Sequence, residues 1–318
     1  MDELTLLRNT RDDSREPSST ALAAGRAALL GRIADGDATH AVAQHQKKRP
    51  WLPRLTWTAA GVAATMTAVL VAGNVTLNAQ TAYASDILRS AATQTIQYAD
   101  LVAGSDQFLR SNTHARWGVC DDSGCEPNDQ ILDVYMPADP EAEWTLYRDW
   151  GSMPGISTGE SIETTRAVDG QFYGPDSSWV NVDYADIPLD GIAAYEWINA
   201  QYSGGSASRD EDNFVRITDI LRSGLVPAPQ RAALLDALSR IPGVTATDNV
   251  ANLDGVTGIA IGRNEMLRAG QRQEIIIDPD TGLVIGERAM SGVTLFGWGL
   301  NEEMSLTAIE TTVVVTAP

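Results

Sequence analysis

Hydrophobic and polar positions divide this chain into three stretches. From Leu55 to Ser85, 31 residues carry no charged side chain. The most apolar part, Leu55 to Gly73, covers roughly 28 Å as a helix rising about 1.5 Å per residue, close to the hydrocarbon thickness of a bilayer. This pattern predicts one transmembrane helix over 55–77, with the rest of the run leading towards a first ectodomain helix. A soluble helix of this length normally carries a polar face. A cleaved signal peptide is the other competitor, because Ala82-Tyr83-Ala84 has the small-x-small form of a cleavage site. The 54 residues before the run far exceed a signal peptide's charged leader.

Beyond the span, Ile87, Leu88, Ala91, Ile96 and Leu101 recur at approximately helical spacing over 85–103, with Ser85 as a cap. From Phe108 the period shortens, and Ala115–Val119, Ile131–Met136 and Trp144–Trp150 read as antiparallel strands between Gly, Pro, Asn or Asp. Residues 151–178 read as irregular loop with one further hairpin. Three helices follow over 189–202, 212–224 and 228–240. Pro227 and Pro229 start the third, Pro242-Gly243 stop it, and Leu234, Leu235, Leu238 and Ile241 form its buried stripe. Strands resume over 244–250, 256–261, 272–277, 283–288 and 306–315. Asp254-Gly255 and Asp278-Pro279-Asp280-Thr281-Gly282 supply turns between them. Strands, helices and strands again predict an α+β ectodomain, 78–318, with a bent, largely antiparallel sheet and a central helical block.

The segment before the span, 1–54, has no core of its own. Leu4, Leu6 and Leu7 form one apolar cluster, and Leu22, Leu29 and Ile33 share one face of a short amphipathic helix after Glu16-Pro17-Ser18-Ser19-Thr20. Leu4, Leu7, Leu22, Leu29 and Ile33 are therefore the candidate partner-docking residues, unless the segment is a solvated tail. Lys47, Lys48, Arg49 and Arg54 flank the span. They include both lysines of the chain, so the positive-inside bias puts the N-terminus in the cytoplasm and the C-terminal domain outside.

Charge sharpens this division. Residues 1–54 balance at +2, whereas the remainder holds 14 basic and 35 acidic side chains. So acidic an ectodomain repels nucleic acid. Cys120 and Cys125, the only cysteines, both lie beyond the span, and their spacing over a turn-like Asp-Asp-Ser-Gly predicts a small disulfide loop. The same spacing rules out a C-x-x-C redox centre.

Catalytic signatures are missing from the sequence. His114 is the only ectodomain histidine, no G-x-S-x-G elbow is present, and neither a phosphate loop nor a dinucleotide fingerprint occurs. Carboxylates are plentiful, but none is singled out as a catalytic pair. Asp278-x-Asp280-x-Gly282 begins like a calcium loop yet lacks the later bidentate ligand. Neither an enzyme, a metal nor a cofactor is expected. Trp144, Trp150, Trp179, Trp197 and Trp298 are candidates for core packing or for a hydrophobic cleft, and Phe296-Gly297-Trp298-Gly299 for an exposed apolar tip.

DELTLLRNTRDD with EPSSTALAAGRAALLGRI, the single span after KKRP, and LVPAPQRAALLDALSRIPGV with IIIDPDTGLVIGER resemble an uncharacterised actinobacterial family of single-pass membrane proteins associated with extracytoplasmic-function sigma factors. This resemblance implies a membrane-bound, anti-sigma-like regulator with a sigma factor as cytoplasmic partner and an unknown envelope ligand outside. The ectodomain also resembles the half-barrel of lipoprotein carriers and periplasmic sensors, which implies the alternative of an anchored lipid- or lipoprotein-binding module without signalling. Many anti-sigma factors carry a cytoplasmic His-x3-Cys-x2-Cys zinc module. Residues 1–54 have His40 and His45 but no cysteine, so docking would fall to the leucine surfaces.

Overall fold

The computed structural model describes residues 62–121, 124–152, 161–174, 182–294 and 297–318. The five candidate docking residues, the basic flank Lys47 to Arg54 and the first part of the expected span, 55–61, lie outside these. A single helix, α1 (Val62–Gln97), runs through the rest of the expected span and on into the expected ectodomain helix. No helix among the described residues is long and apolar enough to cross a membrane.

Helix α1 corrects the expectation of a helix start at Ser85. That residue lies inside the helix, where its hydroxyl donates to the Ser239 carbonyl at 3.1 Å. The buried face is Ala84, Leu88, Ala91 and Thr95, at steps of four, three and four. Ile96 and Leu101, expected on that face, are exposed: Ile96 follows Thr95 by one residue and so falls on another side of the helix, and Leu101 lies beyond the helix end at Gln97.

Among the described residues, nine strands form one antiparallel sheet: β1 (Phe108–Asp121), β2 (Gly124–Pro137), β3 (Glu143–Asp149), β4 (Ile162–Val168), β5 (Thr245–Ala251), β6 (Thr257–Glu265), β7 (Gln271–Ile277), β8 (Val284–Met290) and β9 (Glu303–Val314). Their order is β4-β3-β2-β1-β9-β8-β7-β6-β5. Two meanders, one on each side of the helical block in sequence, are thus joined edge to edge by β9, which pairs with β1 and β8. Strands β1 and β2 are far longer than the sequence pattern predicts. Arg110, Asn112 and Asp133 interrupt its alternation, but they satisfy one another on the face away from the helices: Arg110 and Asn112 donate to Asp133 at 2.8 and 2.6 Å.

The helical block is α2 (Gly191–Ala200), α3 (Arg209–Leu221) and α4 (Ala228–Leu238). Asp190 caps α2 by accepting from Ile192 and Ala193 N–H, both at 3.0 Å. Ser208 caps α3, and Glu211 reaches back to the Ala207 N–H at 2.6 Å, which closes a capping arrangement at an acidic first turn. Leu234, Leu235, Leu238 and Ile241 are buried as expected. Each contributes about 1.5–3 kcal/mol by leaving water. They join Leu88, Phe214, Ile217 and the sheet residues Ile261, Ile275, Ile277 and Ile309 in the main core. Beside it, Leu132, Val134, Trp144, Leu146, Phe172 and Leu225 form a smaller cluster under β2 and β3.

Candidate ligand-binding site

The residues between α1 and β1 and those between α3 and α4 line a half-open cavity of about 260 Å³ on the helix-bearing side of the sheet. Tyr98 and Leu101 wall one side, Leu109 and Met136 come from β1 and β2, and Leu225 and Val226 form the floor. Such a mostly apolar, concave lining is the usual form of a small-ligand site.

The floor is fixed by several bonds. Gly224 has φ +68°, and a Cβ there would collide with the Thr311 hydroxyl, so only glycine lets the α3–α4 connection lie on β9. The Thr311 hydroxyl donates to the Gly224 carbonyl at 3.1 Å, and Ser223 Oγ donates to the Ile220 carbonyl at 2.7 Å. The Tyr184 hydroxyl lies 3.1 Å from Ser223 Oγ. Burial pushes that phenol well above its ordinary pKa, against the opposing effect of the Ser223 bond, so it stays neutral.

Two charged residues edge the cavity, and they satisfy each other. Arg231 is buried, and its guanidinium donates to Thr95 Oγ1, to the Val226 carbonyl at 2.7 Å and to Asp100 at 2.8 Å. The second Asp100 oxygen accepts from the Ala228 N–H at 2.7 Å. This last bond has a structural reason. Helix α4 has proline at its N-cap and makes no side-chain cap of its own, so its first free N–H is capped from outside by Asp100.

A second cavity, about 310 Å³, opens on the other face between β1 and the β8–β9 connection. Its lining is mixed, with Arg116, Glu302 and Glu303 beside Pro127, Trp298, Met304 and Leu306, and Arg116 is already paired with Asp129 at 2.7 and 3.0 Å. Trp298, expected at an exposed tip, is half-buried, and a Cβ on Gly118 would meet its ring at 2.5 Å. Trp144 belongs to the smaller cluster under β2 and β3, Trp197 packs against the main core, and Trp179 lies outside the described residues.

The sequence-derived cysteines come together: Cys120 and Cys125 are directly opposed in the β1–β2 register, and no free cysteine occurs among the described residues. Asp278 behaves as a turn residue. Its carboxylate accepts from Asp280 N–H at 3.0 Å and from the Thr281 hydroxyl at 2.8 Å, and Gly282 has φ +69°. His114 Nδ1 lies 2.6 Å from Asp254 on the β5–β6 turn. Sequence reasoning missed Asp100 and Arg231. They are 131 residues apart; Arg231 stands in the stretch LVPAPQRAALL, but nothing there points to Asp100, and the prolines at 227 and 229, which leave α4 without a cap of its own, were the one available signal.

No family model matches the chain, and no curated protein matches it.

Proposed function

We propose that this chain is a non-enzymatic, single-pass membrane protein whose outer domain holds an envelope ligand in the apolar cavity and reports it to a cytoplasmic partner, a sigma factor. One observation carries the reading. The residues that wall the cavity follow α1 without a break, and α1 includes the described part of the expected span. A change at the cavity wall is therefore a change at the end of the helix that leads back towards residues 1–54. The cytoplasmic half rests on the charge bias and the leucine surfaces of the sequence.

The apolar lining also favours a second reading, an anchored lipid- or lipoprotein-binding module with no partner inside. A photo-cross-linking residue at position 22 or 29 of the full chain, expressed in its own cells, separates the two. Capture of a sigma factor, with the chain retained in the membrane pellet after alkaline carbonate, is the expected result. A chain that leaves the pellet sinks the anchored protein altogether, and retention without any cross-linked partner leaves only the binding module.

A further inference from the structure

The connection between β6 and β7 contains a single turn of 3-10 helix, Met266–Arg268, and it is rigidly built. The Glu265 carboxylate accepts from the Leu267 N–H at 2.9 Å, from the Ser208 hydroxyl at 2.6 Å and from Arg263 at 2.9 Å. The Gly270 N–H donates to the Glu265 carbonyl at 2.9 Å, and the Asn264 amide to the Gly270 carbonyl at 3.1 Å. What this frame presents is apolar: Met266 and Leu267 are 78% and 73% exposed. The β8–β9 connection lies against the turn, since a Cβ on Gly292 would meet the Gly270 carbonyl carbon at 2.1 Å, and it adds exposed Val293 and Leu300. Exposed hydrophobics scattered singly are ordinary, but these four gather at one end of the sheet.

Helix α1 shows what meets that end. The Ser85 hydroxyl bonds to the Ser239 carbonyl just past the end of α4, whereas Thr95 bonds to Arg231 near its start, so the two helices are antiparallel. Chain leaving α4 enters β5 at Thr245, which pairs with Gly262, three residues short of Glu265. The early part of α1, the end of α4 and the Met266 turn thus share one end of the sheet, and Gly282 against Ala91 marks the other. The Tyr83 hydroxyl donates to Asp248 at 2.6 Å, in the middle of β5. About six strand residues, or roughly 20 Å, separate Asp248 from the level of Glu265, and α1 covers that distance in about thirteen residues. Counted back from Tyr83, this reaches the outer part of the expected span, 55–77.

We infer that Met266 and Leu267 dock this end of the domain into the head-group boundary of the bilayer, beside α1. This inference rests on the single-pass reading of the chain. The occupant is lipid because α1 itself brings this end of the sheet to the membrane surface. The contact is apolar rather than ionic: Arg263, Arg268 and Arg272 beside the turn are already paired with Glu265, Glu211 and Glu274. With those cations neutralised, and 35 acidic against 14 basic side chains in residues 55–318, anionic head groups do not hold the domain. Docking leaves the apolar cavity at the far end of the sheet, where Leu109 lies near the start of β1, Met136 near the end of β2 and Leu283 just before β8. Its ligand is then met from the envelope space and not from the lipid.

The test uses the full chain in phosphatidylcholine nanodiscs whose lipid carries a nitroxide near the head or near the middle of the acyl chain. The fluorophore NBD is attached at Val293→Cys beside the turn, at Val256→Cys on the opposite end of the sheet, or at Ala68→Cys within the expected span. The unsubstituted chain treated with NBD is the blank. The label at position 293 is expected to lose roughly half of its emission to the head-proximal nitroxide, as a group in the interfacial layer of about 5–10 Å does, and the label at position 256 none. Adding Met266→Ser and Leu267→Ser, at positions exposed enough to leave the fold intact, is expected to cut the quenching at position 293 about threefold. Quenching at position 68 without quenching at 293, or quenching at 293 unaltered by the serine substitutions, would overturn the docking and leave the anchor. No quenching at position 68 by either nitroxide would overturn the anchor and the docking with it. A label at position 293 shielded from aqueous iodide yet untouched by nitroxide would put protein on the turn in place of lipid, and overturn the bilayer as its occupant. Quenching that requires phosphatidylglycerol in the disc would overturn the apolar contact.

Discussion

Gly282 rests directly against the main chain of Ala91. A Cβ at this position would collide with the Ala91 carbonyl and come within 2.9 Å of the Thr95 Cβ, so the β7–β8 turn and α1 approach as closely as two backbones can. The residue also has φ +69°. Gly282→Ala therefore combines an unfavourable backbone conformation with a clash, and is expected to lower stability by roughly 2–4 kcal/mol. Urea unfolding followed by tryptophan fluorescence measures it; a loss below half a kilocalorie would mean that α1 does not dock here.

Leu238 and Val256 make a second comparison. Leu238 is fully buried in the main core, whereas Val256 is 54% exposed at the start of a hairpin strand. Leu238→Ala is expected to cost about 2–5 kcal/mol and Val256→Ala no more than about 0.5 kcal/mol. Equal effects in denaturant midpoints would contradict the assignment of the helical block to the core.

The pH dependence of stability is expected to centre on Glu287 and Asp219, which share Arg222 at 3.5 and 3.1 Å. Partial burial raises both carboxyls, more securely at Glu287 than at Asp219, whose side chain is half exposed, and Arg222 opposes the rise; at Glu287 the nearby Asp219 adds to it. The folded chain then keeps these protons where the unfolded chain has released them. Their contribution to stability falls as pH rises from about 4, the ordinary carboxylate range, and levels off above the folded values. The double variant Asp219→Asn/Glu287→Gln should flatten this fall. Urea midpoints across a pH series provide the check, and an unaltered slope would dismiss the pair.

Cys120 and Cys125 are expected to be oxidised to one another in protein recovered from the envelope. Intact mass should show two hydrogens fewer than the reduced chain, and reduction should cost about 2 kcal/mol or less, because the loop closed is so short. Alkylation of both thiols without prior reduction would rule the bond out.

The sequence revealed those parts of the fold whose period and punctuation are local. Leu234, Leu235, Leu238 and Ile241 could be placed in the core from spacing alone, and Asp278 to Gly282 from turn chemistry, because both depend on neighbours within a few residues. Strand lengths were less legible. The polar residues of β1 and β2 are stabilised by partners across the ladder, such as Asp133 for Arg110 and Asn112, which no single strand discloses. The cavity was invisible for the same reason: its lining comes from six separate stretches of chain, brought together by the insertion of β9 beside β1.

Strand β9 also has a consequence for the order of assembly. Residues 303–314 supply the seam between the two meanders, so a ribosome that has released everything up to Leu300 has made eight strands of the sheet and none of the pairs that unite them. Each half must wait with a long unpaired edge until the final strand emerges. Edges of this kind are where chains associate wrongly. Maturation of this domain is thus governed by its last-made segment, and a nascent chain stalled shortly before it is the form most in need of a chaperone.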